Sequence, residues 1–155
     1  AQADLCKSPQ EVRASITPSG VPGTSSMQDL RSLRDRFESK VGETIPDIVF
    51  NGDRDFRLPN ISNISFRSIE GEGLLINLDM QGIAVSTGSA CSSGSLEPSP
   101  VIRALGRDDE LARGAIRFSF GRYNSLEDVD QVINILPAAI QNLRKLSPVR
   151  ASRSA

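Results

Sequence analysis

Ile83-Ala84-Val85-Ser86-Thr87-Gly88-Ser89-Ala90-Cys91-Ser92-Ser93-Gly94-Ser95-Leu96-Glu97-Pro98-Ser99-Pro100 carries three structural instructions in succession. The apolar triplet Ile83–Val85 reads as a short strand. The run Ser86–Ser95 is made almost wholly of small residues, which add little packing and leave the backbone free, so it reads as a loop. Ser99 as N-cap and Pro100 at the first helical position open a helix to about Leu105, with Gly106 as its stop. Strand, long loop and helix in sequence indicate a mixed α/β chain with one thiol, Cys91, in the middle of a tethered arm.

The pattern extends outward on both sides. Met27, Leu30, Leu33, Phe37 and Val41 recur at three- and four-residue steps, predicting an amphipathic helix capped by Ser26 with Asp29, and stopped near Gly42. Ile48-Val49-Phe50 predicts a strand closed by the turn Asn51-Gly52-Asp53. Asn60 to Arg67 reads as extended, with Ile64 and Phe66 on one face and Ile61 out of phase. Glu70 to Met80 predicts a short helix with Leu74, Leu75 and Leu78 inward, ending near Gly82. Downstream, Gly114 to Phe120 predicts a strand. Ser125 and Asp128 form a second capping box before the stripe Leu126, Val129, Val132, Ile133, Leu136, Ile140 and Leu143. Pro137 falls inside that stripe and predicts a kink or a split into two helices.

The expected fold class is therefore α/β: a small sheet with covering helices, the two long helices packed together on one face. The expected division is an irregular lead-in over 1–25, rich in Ser, Pro and Gly, a folded domain over 26–146, and a polar tail over 147–155. At 155 residues one domain is the expectation, with 38% apolar and 5% aromatic residues setting a modest core. Zero histidine excludes His-ligated metal, Ser–His and Cys–His nucleophile pairs and a histidine pH switch. A net charge of −1 argues against general nucleic-acid or membrane-surface binding. No stretch approaches the length of a membrane span. Ala1 to Gln10 shows no apolar signal-peptide core, so the expected location is cytoplasmic. Cys6 and Cys91 form no CxxC pair, and nothing favours a disulfide between them.

Cys91 carries the chemistry if any residue does. A nucleophile that must visit two places needs a flexible arm, small neighbours and anchored ends, and its loop supplies all three. Thiol reactivity follows pKa and exposure, and the sequence shows no local base; the nearest downstream cation is Arg103. The plainer reading is an inert cysteine in a surface loop, since lone cysteines are most often buried and unreactive. The loop lacks the Gly-Lys-Ser/Thr ending of a phosphate-binding P-loop.

The segments Gly71-Glu72-Gly73, Leu78 through Ser99, Val101-Ile102-Arg103-Ala104-Leu105-Gly106, Ile116-Arg117-Phe118-Ser119-Phe120-Gly121-Arg122 and Ser147-Pro148 closely resemble the C-terminal part of cysteine desulfurases. These are pyridoxal-phosphate enzymes of the class V aminotransferase family, and the resemblance is to the long-loop class that supplies sulfur for iron–sulfur clusters and nitrogenase. It covers about residues 27–148. It implies the small C-terminal domain of a fold-type I enzyme. It further implies that Cys91 attacks the sulfur of L-cysteine, releases L-alanine, becomes a persulfide and delivers sulfur to an iron–sulfur scaffold or another acceptor protein. Arg117 matches the arginine that pairs with the substrate carboxylate, for which a guanidinium fork is suited. Arg122 is a second candidate, expected to be structural. The resemblance also implies a homodimer, and a transient [2Fe–2S] contact of Cys91 that would need the scaffold's own cysteines.

The family's cofactor setting is not matched. Its Schiff-base lysine follows a histidine, and this chain has none. Lys7, Lys40 and Lys145 stand in the lead-in and in helix faces, so no pyridoxal-phosphate residue is expected here. Pro100 replaces a histidine common in relatives. The expectation is a desulfurase C-terminal portion, as fragment, truncated product or split-enzyme half, inactive without a cofactor domain. The alternatives are a non-enzymatic persulfide relay or scaffold-binding module, and an inactive remnant.

Overall fold

The computed structural model describes residues 27–87 and 98–147. The lead-in, Ser26, the centre of the Cys91 loop and the residues from 148 onward lie outside the described residues. The element order is α1 (Met27–Thr44), β1 (Ile48–Asn51), β2 (Ile61–Phe66), α2 (Gly71–Asp79), β3 (Ser86–Thr87), α3 (Pro100–Ala104), α4 (Asp109–Arg113), β4 (Ala115–Ser119) and α5 (Leu126–Leu146).

The strands form one sheet of order β1-β2-β4-β3, antiparallel at every pairing. Both β2 and β3 run against β4, so they are parallel to each other, with α2 as their crossover and β4 inserted between them. The α/β expectation holds. Side chains alternate across the sheet. Ile64, Phe66, Ile116 and Phe118 point to one face and are buried against Leu30, Leu33, Phe37 and Val41 of α1, Leu74 and Leu78 of α2, and Val129, Leu136 and Ile140 of α5. Phe37 packs against Phe118 with the rings tilted by 49° and 4.7 Å between centroids, and meets Phe120 edge-on at 5.6 Å. The two long helices do pack together. Arg36 of α1 forks onto Asp130 of α5 through two hydrogen bonds of 2.9 Å.

Five local expectations need correction. α1 continues past Gly42 to Thr44. The strand expected at Ile83–Val85 forms two residues later, at Ser86–Thr87. Ile83 and Val85 do pack on the core, but the ladder begins only where β4 offers a partner. Ser99 occupies the N-cap position of α3 without a side-chain cap hydrogen bond. Leu126, expected in the apolar stripe, is exposed at the first position of α5. The helix is not split at Pro137 but runs unbroken from Leu126 to Leu146. Leu136 on one side of the proline and Ala139 and Ile140 on the other are all buried. That packing outweighs the roughly 3 kcal/mol an interior proline costs. The Ser125–Asp128 capping box is present as expected.

Two charged groups are anchored at the layer interfaces. Arg144 of α5 donates to the carbonyls of Pro46, Asp47 and Arg67, tying the helix to the chain on either side of β1 and β2. Glu38 of α1 accepts a fork from Arg57 at 2.6 and 2.7 Å, and a hydrogen bond from Ser62 of β2 at 2.7 Å. The Glu38 carboxylate holds the Arg57 guanidinium even further above its ordinary titration range. Both side chains are largely covered. Glu38→Ala is therefore expected to cost about 2 kcal/mol, because it strands a largely covered guanidinium and the Ser62 hydroxyl. Urea unfolding should show a lower midpoint with an unchanged slope; an unchanged midpoint would show that the pair contributes nothing net.

Candidate active site

The second face of the sheet is only partly covered. The segment Pro100–Gly114 lies over one end, where Ile102 and Ala112 bury Ala115 of β4. Gly106, at φ +77°, ends α3 in the left-handed region open to glycine and lets the chain turn into α4. Asp108 caps α4 by accepting from the Leu111 amide at 2.8 Å. Sequence periodicity gave no sign of this five-residue helix, although Asp108 before it and Gly114 after it are cap residues.

A polar row crosses this face, running from beneath the covering segment at Asn51 to the exposed Arg117. Asn51 pairs with Asn63, Asn63 with Arg117, and Arg117 with Ser86, straight across the four strands. Directly opposed residues share a face, so these four side chains stand on one surface. Arg117 is exposed, between inward-facing Ile116 and Phe118. No carboxylate among the described residues pairs with it. Asn51 is buried and fixed: its amide nitrogen donates to Asn63 Oδ1 at 2.8 Å and to Ser65 Oγ at 2.7 Å, and its oxygen accepts from Arg107 Nε at 3.2 Å.

Cys91 lies outside the described residues. Its anchors do not. Thr87 pairs with Ile116, one residue from Arg117, and Pro98 and Ser99 are buried at the far end. Cys91 is four positions beyond Thr87 in the sequence, a span of at most about 14 Å when fully extended. The loop's upstream foot thus sits beside the exposed guanidinium. Arg103 forks onto Asp109 at 2.6 and 2.8 Å and holds that carboxyl below its usual range. Arg122 lies over the exposed Tyr123 ring at 4.5 Å. The sequence reading missed Asn51, Asn63 and Arg107. Only the polar alternation of Asn63 and Ser65 along β2 hinted at them.

Neither lysine among the described residues stands in a cofactor site. Lys40 pairs with Glu43 at 2.7 Å on an exposed helix face, and Lys145 is exposed near the end of α5. A cavity of about 170 Å³ is lined by Ser68, Ile69, Glu70, Glu110, Arg113 and Ser147. Two carboxylates in that lining, with no lysine, are wrong for a phosphate or an aldehyde. That cavity therefore does not fit pyridoxal phosphate, and neither described lysine lines it. Among the same residues, no group of three His, Cys, Asp or Glu side chains could hold a metal ion. No helix there is long and apolar enough to cross a membrane.

An antiparallel sheet backed by helices carries an outward arginine across from the strand that leads toward Cys91. The aminotransferase class-V family matches residues 23–132, so the chain belongs to that family, whose members generally use pyridoxal phosphate. It is similar to the cysteine desulfurase IscS of Dictyoglomus turgidum, with 47% identity over 124 residues, covering 80% of this chain and 32% of that protein. It is also similar to the cysteine desulfurase NifS of Azotobacter vinelandii, with 43% identity over 145 residues, covering 89% of this chain and 36% of that protein. The chain spans about a third of the length of these curated relatives. Among solved structures it matches a NifS-like protein with a TM-score of 0.63 and 28% identity, over 76% of this chain and 28% of that one. The NifS-like protein from Rickettsia africae shares the fold at a TM-score of 0.61, over 72% of this chain and 28% of that one, with 24% identity.

Proposed function

We propose that this chain supplies the sulfur-accepting thiol and the substrate-carboxylate ligand of a cysteine desulfurase acting in the cytoplasm. The observation that carries the reading is the placement of exposed Arg117 directly across from Ser86, at the foot of the loop that bears Cys91. Arg117 would hold the carboxylate of L-cysteine bidentately. Cys91, as thiolate, would attack the substrate sulfur. A sulfur–sulfur bond forms and the substrate carbon–sulfur bond breaks. The enzyme thiol plus cysteine gives the enzyme persulfide plus alanine, with atoms balanced. The small residues around Cys91 would then let the persulfide reach an outside acceptor such as an iron–sulfur scaffold protein. The catalytic cofactor would be bound by residues other than those described.

The test is to mix the purified chain with L-cysteine and a pyridoxal-phosphate-bearing desulfurase large domain, then digest and map by mass spectrometry. The expected result is a persulfide on the Cys91 peptide and none on the Cys6 peptide, which serves as an internal control. Equal labelling of both peptides, or none, would refute the reading. Labelling of Cys91 by a persulfide donor alone, with none from L-cysteine and the large domain, would favour a relay module.

A further inference from the structure

The polar row on the open sheet face has a fixed direction. Arg107 can only donate, so the group of Asn51 that meets its Nε must be the side-chain oxygen. The Asn51 amino group is then turned toward Asn63 and Ser65, as the distances of 2.8 and 2.7 Å require. A donor there obliges Asn63 to present its Oδ1. The two N–H groups of Asn63 are consequently turned away from Asn51, and no acceptor for them occurs among the described residues. Asn63 is the direct cross-strand partner of Arg117, at a side-chain separation of roughly 5 Å. The guanidinium of Arg107 thus sets, through Asn51 of β1, the orientation of a pair of donors on the neighbouring strand β2.

We propose that the Asn63 side-chain amino group is a second ligand for the carboxylate of the amino-acid substrate, held beside Arg117 by the Arg107–Asn51–Asn63 relay. The inference rests on the reading of Arg117 as a carboxylate ligand and adds to it. One guanidinium fork fixes a carboxylate in its plane but leaves it free to rock. A further donor from the neighbouring strand removes that freedom. Asn51 is 5% exposed and bonded on both sides, so the donor is pre-set and little ordering is needed on binding.

The test uses the full chain, labelled with ¹⁵N and followed by NMR. L-Alanine and acetate supply a carboxylate, and ethylamine serves as the control without one. The expected result is that the Asn63 side-chain NH2 and the Arg117 Nε–H resonances shift together and saturate with one dissociation constant for both carboxylates, and stay still with ethylamine. Asn63→Asp keeps an oxygen for Asn51 but replaces the outward donors by a second oxygen. It should weaken carboxylate binding at least tenfold while the Asn51 NH2 resonance stays in place, reporting an intact relay. Movement of Arg117 alone, or unchanged affinity in Asn63→Asp, overturns the role of Asn63 and leaves that of Arg117 standing. Movement of neither overturns both.

Discussion

Gly114→Ala is expected to lower the stability of this domain by about 4 kcal/mol, enough to remove most of the margin a small domain possesses. Gly114 follows α4 and precedes β4, with ordinary backbone angles that alanine could adopt. The obstacle is space. A methyl group there would sit 2.1 Å from the carbonyl oxygen of Phe66 and 3.3 Å from that of Ile69. Both are backbone atoms, so no side chain can swing aside. The Gly114 carbonyl also accepts the Phe66 amide at 3.0 Å, and the shift that relieves the clash breaks this bond. Overpacking of 1–3 kcal/mol or more and a lost hydrogen bond of about 1 kcal/mol act together. Gly73→Ala is the matched control. It lies inside α2, and a methyl group there would meet only Leu143 Cδ2 at an ordinary 3.5 Å. Alanine's better helix propensity should raise stability by about 0.5–1 kcal/mol. Thermal unfolding of the two variants should move in opposite directions. A Gly114→Ala midpoint within a degree or two of the parent's would show that the β2–α4 contact yields more easily than its backbone geometry indicates.

The contrast between the two glycines shows what a sequence can and cannot carry. Gly73 and Gly114 look alike in one dimension; only the approach of β2 to the end of α4 separates them. The long helices were legible because their apolar stripes repeat over several turns: Leu30, Leu33, Phe37 and Val41 in one, Val129, Leu136 and Ile140 in the other. The faces of β2 were legible too. Ile64 and Phe66 lie inward and Ile61, out of phase, lies on the other face, because alternation survives any pairing register. β3 was misplaced because Ile83 and Val85 advertise burial, whereas a ladder is set by the partner strand, which no local pattern encodes. α4 escaped because five residues are too few to show a period. At the candidate site, the resemblance gave Arg117 a chemical role, and the burial of Ile116 and Phe118 on either side leaves it outward in the structure. Asn51 read only as a turn residue. Its bonds to Asn63 and Arg107 join positions 12 and 56 residues apart, and such a network exists only once the register does.

Arg117→Ala is expected to cut kcat/KM for L-cysteine by roughly 100- to 1000-fold, about 3–4 kcal/mol, when the chain is assayed with a pyridoxal-phosphate-bearing domain supplied in trans. The size follows from removing two charge-assisted hydrogen bonds to a carboxylate that would be shielded from water between the two parts. The fold should be untouched, because Arg117 is exposed and bonded to no carboxylate among the described residues, so its replacement belongs with surface changes worth within about 0.5 kcal/mol. Arg117→Lys should recover part of the loss, since an ammonium keeps the charge but not the planar fork. Cysteamine separates binding from general damage. It offers the same thiol and amine without a carboxylate, so its slow turnover should be nearly equal in the parent and Arg117→Ala. An equal fall for both substrates would mean that Arg117 acts on loop or cofactor geometry rather than on the carboxylate. Full activity toward L-cysteine would remove Arg117 from the site, and with it the argument that the foot of the Cys91 loop lies beside bound substrate.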